Sequence, residues 1–247
     1  MDFDSAGVRL QYEVHGPQDG PPVVLVHGFA SSYRLNWVGT RWQETLTGAG
    51  FRVVGLDCRG HGNSAKPHDA TAYSLEILAA DVSRLFDQLN LAKASYLGYS
   101  MGARIGLSFL LDAPKRVDRA VLGGIGIGSA IERADAVADA LIDGEPVEEG
   151  VARTFYRFAA ASPSNDLLAL AACFRGIHGE ETPSRLAEIR TPTLIAVGDR
   201  DEIAGSAADL TEMIPSARLI TIPGRDHLGA VPAREFKRAA VEFLSAD

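Results

Sequence analysis

The 247-residue chain predicts an α/β fold, a mostly parallel sheet covered by helices. Two observations carry this. Short apolar runs rich in β-branched residues alternate with longer amphipathic stretches. The length and an ordinary globular balance of apolar and charged residues suit one large domain, or one domain carrying an insertion, with a core that forms without staples.

Taken in order, Val8 to Val14 reads as an early antiparallel strand, and Pro22 to His27, Phe51 to Asp57, Ala94 to Tyr99 and Val117 to Gly123 follow as buried strands. Thr193 to Gly198 and Ala217 to Ile222 complete the series. Leu75, Leu78, Ala79, Val82, Leu85, Phe86 and Leu89 recur at helical spacing, as do Ile105, Phe109 and Leu110, so both stretches predict core-facing helices. From Ile131 to about Arg190 the alternation stops: the stretch is helix-rich and holds no convincing strand. It predicts an inserted helical cap, residues 125–190, on a core made of residues 1–124 and 191–247. Gly123, Gly124, Gly126 and Gly128 read as the hinge into it, and Ser162-Pro163 and Thr182-Pro183 each read as an N-cap followed by proline at the first helical position.

The net charge of -8 and the lack of a Lys/Arg-rich run exclude a nucleic-acid surface, which needs concentrated positive charge. A small, apolar or uncharged substrate is easier to admit. Cys58 and Cys173 stand apart, with no C-x-x-C pair and no His/Cys cluster at metal-ligand spacing, so they read as free thiols and no metal site is expected. The acidic opening Met1-Asp2-Phe3-Asp4-Ser5 lacks the features of a secretory signal, which makes the cytoplasm the expectation. No run approaches the roughly 20 apolar residues of a membrane span. Oligomeric state is left open.

The chemistry-bearing residues stand at strand ends. Gly98-Tyr99-Ser100-Met101-Gly102 lies between an apolar strand and an amphipathic helix, the context of a G-x-S-x-G nucleophile elbow. Such a turn demands small flanking residues, and it lifts the serine hydroxyl toward a helix N-terminus whose N–H groups favour developing negative charge. A serine hydroxyl is a weak nucleophile at neutral pH and needs a base, with a further group to orient that base. Asp199-Arg200-Asp201 follows one strand and Gly224-Arg225-Asp226-His227 follows the next, giving the Ser, acid, His order of elbow-bearing hydrolases.

On these motifs the chain resembles the α/β-hydrolase family over essentially its whole length. The resemblance implies an eight-stranded, mostly parallel sheet with the cap inserted after the sixth strand, a Ser100–His227–Asp201 triad, and no metal or organic cofactor. His27-Gly28-Phe29 matches the family's oxyanion loop, which implies that the N–H of Phe29 and that of Met101 hold the oxyanion, with His27, Gly28, Gly98, Tyr99 and Gly102 in support. Asp57-Cys58-Arg59-Gly60-His61-Gly62-Asn63-Ser64 resembles its D-x-R-G-x-G-x-S loop, and Leu186, Ile189 and Pro192-Thr193-Leu194 resemble its lead into strand seven. Gly198-Asp199-Arg200-Asp201 resembles its G-x-x-D pattern, which implies Asp201 as the acid, with Asp199 as the rival and a turn or salt bridge as that residue's other role. Asp226 is expected to diverge from the neighbouring imidazole. His27 and His61 are expected to support loops, and His15, His68 and His178 to lie at the surface or in the cap.

The resemblance implies a serine esterase of the carboxylesterase kind, acting on small carboxylic esters or lactones. Serine at the elbow counts against dehalogenase and epoxide-hydrolase relatives, which use aspartate there. Meta-cleavage C–C hydrolases resemble G-N-S-M-G at the elbow and place tryptophan after the histidine, where this chain has Tyr99 and Leu228. Enol-lactone hydrolysis, peroxyacid formation and a ligand-receptor role of the same fold stay open. Phe155, Tyr156, Phe158 and Phe174 are the cap aromatics expected to face the pocket or to pack the cap helices.

Overall fold

The computed structural model describes residues 1–128, 134–144, 150–177 and 185–246. Eight strands form one sheet: β1 (Asp2–Ser5), β2 (Val8–His15), β3 (Pro22–Val26), β4 (Arg52–Asp57), β5 (Ala94–Tyr99), β6 (Val117–Gly123), β7 (Thr193–Gly198) and β8 (Ala217–Ile222). Their order is β1-β2-β4-β3-β5-β6-β7-β8, antiparallel in the first two pairings and parallel from β4 onward. The mostly parallel eight-stranded sheet is therefore present. One strand escaped the sequence reading: β1 is four residues long, and its D-F-D-S alternation is too short to separate from a polar terminus.

β5 is buried throughout and β3 in all but its first residue, as strands covered on both faces must be. One apolar cluster joins that sheet face to the helices α2 (Leu75–Gln88) and α3 (Met101–Asp112). The other face packs on α1 (Trp42–Gly48) and α8 (Arg234–Leu244), where Trp37, Trp42 and Phe236 meet edge to face at 5.7 and 4.8 Å.

This topology fixes where a crevice opens. From β3 the chain steps to β4 on one side and then crosses to β5 on the other, so the strand order reverses at β3. In open α/β sheets such a switch point opens a crevice beyond the carboxyl ends of the strands. The segments leaving β3 and β5 there are His27–Phe29 and the Ser100 turn.

The loop after β4 is locked by its own motif. Asp57 accepts from the N–H groups of Tyr33 and Asn63 at 2.8 Å each, and Ser64 Oγ donates to the Asp57 carbonyl. Gly62 has φ +52°, and a side chain on it would sit 2.2 Å from the Asp57 carboxylate. Arg59 makes a buried ion pair with Asp81 of α2 at 2.9 Å, and Ser5 of β1 donates to the same carboxylate. This network joins the sheet edge to the helix layer.

Between β6 and β7 lie α4 (Ala134–Asp143), α5 (Val151–Ala160) and α6 (Leu167–Ile177). Ser162-Pro163 does not start a helix. It lies in the turn after α5, and α6 begins four residues later, where Asp166 Oδ1 accepts the N–H groups of Leu168 and Ala169. Proline at position 163 allows a start but does not choose one; α6 begins where its apolar face meets the core. Thr182-Pro183 and His178 lie outside the described residues. Asn165 Nδ2 donates to the Ala30 carbonyl at 3.0 Å, which ties this segment to the loop after β3. Between α6 and β7, Leu186–Glu188 forms a single helical turn, and α7 (Ala207–Met213) follows β7 with Ser206 as its N-cap. Cys58 and Cys173 are buried free thiols. Among the described residues no helix is long and apolar enough to cross a membrane.

Candidate active site

Ser100 sits between β5 and α3 with φ 52° and ψ -112°, a conformation that a non-glycine residue adopts only when its surroundings impose it. The surroundings do so through glycines. A Cβ on Gly98 would lie 2.3 Å from the Gly102 carbonyl, and one on Gly102 would lie 2.1 Å from the Val26 carbonyl of β3. The five-residue motif thus records how closely β5, α3 and β3 approach one another.

The turn brings three distant residues into line. His227 Nε2 lies 3.0 Å from Ser100 Oγ, and Nδ1 on the ring's other side lies 2.8 Å from Asp201 Oδ2. With Nδ1–H donating to the carboxylate, Nε2 is left to accept the serine proton. Asp201 is held in turn by the N–H groups of Ala204 and Ile203, and its side chain is fully buried. Burial works to raise the Asp201 pKa, but the hydrogen bond and charge of His227, helped by those two amides, outweigh it and hold the carboxyl below the usual range.

The rival acid is elsewhere. Asp199 Oδ1 accepts the Gly224 N–H at 2.7 Å, which makes it a turn residue, and Asp226 accepts the Gly229 N–H, pointing away from the imidazole. Tyr99, expected only as an elbow residue, donates from its hydroxyl to the His227 carbonyl at 2.5 Å and packs against that ring. Only the fold reveals this contact, since the two residues lie far apart in the chain.

Phe29 and Met101 line a cavity with Ser100 and His227. Met101 is the first residue of α3, so its N–H has no acceptor within the helix, and the Phe29 N–H makes no hydrogen bond among the described residues. Two backbone donors without an intrahelical or loop acceptor thus belong to residues that line the same cavity as the serine. His27 supports the loop: Nδ1–H donates to the Gly28 carbonyl and Nε2 accepts the Cys58 N–H. His61 donates from Nδ1 to the Arg59 carbonyl. His15 and His68 stay near the surface and pair with Glu13 and Asp166.

Above Ser100 an open cavity is walled by Phe29, Phe155, Phe158, Ile203, Leu228 and Val231, with Ser31 and Asn36, each hydrogen-bonded to Gly28, in one corner. Phe155 and Phe158 therefore line the space as well as pack, whereas Phe174 faces a second lobe that also holds Arg104. Tyr156 is half-buried against the core.

Burial drives His27 down to about 4 and, with help from the His27 charge, His61 to about 3. Both rings are thus neutral in the folded protein at pH values where an unfolded histidine, near pKa 6.5, already binds a proton. Stability should fall as pH drops from about 6.5 toward 4, by about 1.4 kcal/mol per unit for each ring. Denaturant titrations at pH 7 and pH 5 should differ by on the order of 3–4 kcal/mol. Equal midpoints would mean that both rings take up protons while folded.

Residues 21–172 match the model of the family described as the alpha/beta hydrolase fold. The chain is 30% identical, over 98% of its own length and 97% of the other's, to a Bacillus subtilis (strain 168) protein provisionally named 2-succinyl-6-hydroxy-2,4-cyclohexadiene-1-carboxylate synthase. Among solved structures it resembles a hydrolase from Pseudomonas aeruginosa PA01, with 27% identity, a TM-score of 0.84, and coverage of 100% of this chain and 98% of that one. It also resembles the enol-lactonase from Burkholderia xenovorans LB400, with 25% identity, a TM-score of 0.79 and full coverage of both chains.

Proposed function

The chain belongs to the α/β-hydrolase family, and from that premise we propose that it is a serine hydrolase of small carboxylic esters or lactones, working through an acyl-enzyme on Ser100. The observation that carries this reading is the unbroken line from Ser100 Oγ through the His227 ring to the buried Asp201 carboxylate, set at the floor of an apolar cavity. A nucleophile, a base and the base's orienter are there in hydrogen-bond contact.

His227 Nε2 takes the Ser100 proton as Oγ attacks the carbonyl carbon, and the N–H groups of Phe29 and Met101 receive the oxyanion. The tetrahedral intermediate collapses, the ester C–O bond breaks, and the imidazolium returns its proton to the leaving alcohol. Water then gives a proton to His227 and attacks the acyl carbon, releasing the acid and restoring the serine. Asp201 keeps the Nδ1–H tautomer and balances the imidazolium charge. Every proton and charge in this sequence is met by a protein group, so the scheme calls for no metal or organic cofactor. In this reading α4 to α6 act as the cap, with Phe155 and Phe158 closing the apolar roof over the substrate.

A second reading rests on Arg104, one turn along α3 from Ser100, which lines the neighbouring lobe. A guanidinium there suits a substrate bearing a carboxylate, and the printed name of the Bacillus relative's product contains one. One experiment tests both readings. Nitrophenyl esters from acetate to palmitate should give kcat/KM highest at the short chains, because the aromatic walls of Phe29, Phe155 and Phe158 enclose the acyl group above Ser100. An optimum at about twelve carbons or beyond would overturn the small-substrate reading. Esters of dicarboxylic acids with one end free belong in the same series; a preference for them over neutral esters of equal length would favour the second reading.

A further inference from the structure

The corner of the cavity nearest the oxyanion loop holds an amide that the hydrolytic scheme does not use. The Gly28 N–H donates to Asn36 Oδ1 at 3.1 Å, and this bond fixes the orientation of the Asn36 amide, because only its oxygen can accept. The other end, Nδ2, is buried and has no hydrogen-bond partner among the described residues. Asn36 is 7% exposed and lines the cavity above Ser100. A Cβ on Gly28 would stand 3.5 Å from Ser100 Cβ and 3.7 Å from Asn36 Oδ1. The oxygen end of the Asn36 amide thus lies no more than about 7 Å from Ser100 Cβ.

Leaving a buried donor unpaired costs about 1–3 kcal/mol, so an unpaired one calls for an explanation. His61 Nε2 and Trp37 Nε1 are also unpaired, but neither residue lines this cavity. Asn36 further sits in a five-residue π-helical turn, Arg34–Val38, a rare geometry that recurs at functional sites. That turn presents Asn36 and Trp37 to the interior while Leu35 and Val38 stay exposed.

The geometry points to Asn36 Nδ2 as a donor to the substrate, selecting esters or lactones whose acyl part carries a second oxygen acceptor, keto or hydroxyl, one or two carbons from the scissile carbonyl. This inference rests on the reading of Ser100 as nucleophile. The scissile carbonyl oxygen is taken by Phe29 and Met101, so the amide is left for a neighbouring oxygen. Ser31 shares its corner, and the remaining walls are mostly apolar, so an aliphatic isostere would leave Nδ2 unpaired where an oxygenated acyl group would satisfy it. Specificity of this kind comes from the cost of the unmet donor.

The test compares ethyl 3-oxobutanoate and ethyl 3-hydroxybutanoate with ethyl 3-methylbutanoate, which has nearly the same shape and no second acceptor. Asn36→Asp keeps an oxygen for the Gly28 N–H and loses the donor; Asn36→Leu loses both. The ratio of kcat/KM for the oxygenated to the aliphatic ester should fall about tenfold in each variant relative to wild type. Taking the ratio cancels intrinsic reactivity and any general harm to the oxyanion loop. The same ratio is read as Kd in a Ser100→Ala background, where substrate stays intact. Ratios within about twofold of wild type in both variants, by turnover and by binding, would overturn the inference while normal wild-type turnover left the hydrolase reading standing. A tenfold shift in the Kd ratio without wild-type turnover would support Asn36 as the donor and remove the hydrolase reading.

Discussion

Asn in place of Asp201 should lower kcat/KM by on the order of 10⁴-fold, with the protein still folded. Asparagine fits the same space, and its oxygen still accepts the Ala204 and Ile203 N–H groups. What fails is the tautomer: the amide offers an N–H toward His227 Nδ1, so the imidazole turns its proton to Nε2 and faces Ser100 with a donor. Asp199→Asn should stay within about threefold of wild type, because its oxygen continues to accept the Gly224 N–H in an exposed turn. Steady-state kinetics on a short nitrophenyl ester decides between them. Reversed effects would move the acid to Asp199 and break the geometric account of the loop after β7.

Ser100→Gly should separate activity from stability. Turnover should fall by about 10⁵–10⁶-fold, as expected when a nucleophile that works jointly with its base is removed. The backbone at this position has φ 52° and ψ -112°, which costs a residue with a Cβ on the order of 1–3 kcal/mol. Glycine relieves that strain and gives part of it back through the freer unfolded chain, for a net gain of about 1 kcal/mol. Thermal melting of the two proteins side by side measures it. A variant that melts lower than wild type would mean that the elbow is unstrained and that the serine side chain stabilises the fold.

The elbow, the order of serine, acid and histidine, and seven of the eight strands were legible because each is written locally. An apolar run of five or six residues marks a buried strand wherever it sits, and a tight turn leaves glycines at fixed offsets. What was illegible depends on contacts between distant segments. The Tyr99 hydroxyl meets the His227 carbonyl only after β8 is in place, and nothing in the composition around Asn36 marks its amide as facing Gly28. β1 was missed because four residues hold too few alternations, although its Ser5 joins a buried network with Arg59 and Asp81. Ser162-Pro163 carried a valid capping signature, yet the helix starts at Leu167, where Asp166 caps it and packing begins. Local signals name candidates for such a boundary, and tertiary packing selects among them.

In the proposed mechanism Ser100 forms an acyl-enzyme with His227 as base. Its most direct test mixes the protein with excess of a short nitrophenyl ester, quenches with acid within the first turnovers, and maps the acyl mass by peptide sequencing. A burst of nitrophenol approaching one equivalent and an acyl group on the Ser100 peptide are expected, both absent from Ser100→Ala. An acyl group on another residue, or turnover that persists undiminished in Ser100→Ala, would contradict it.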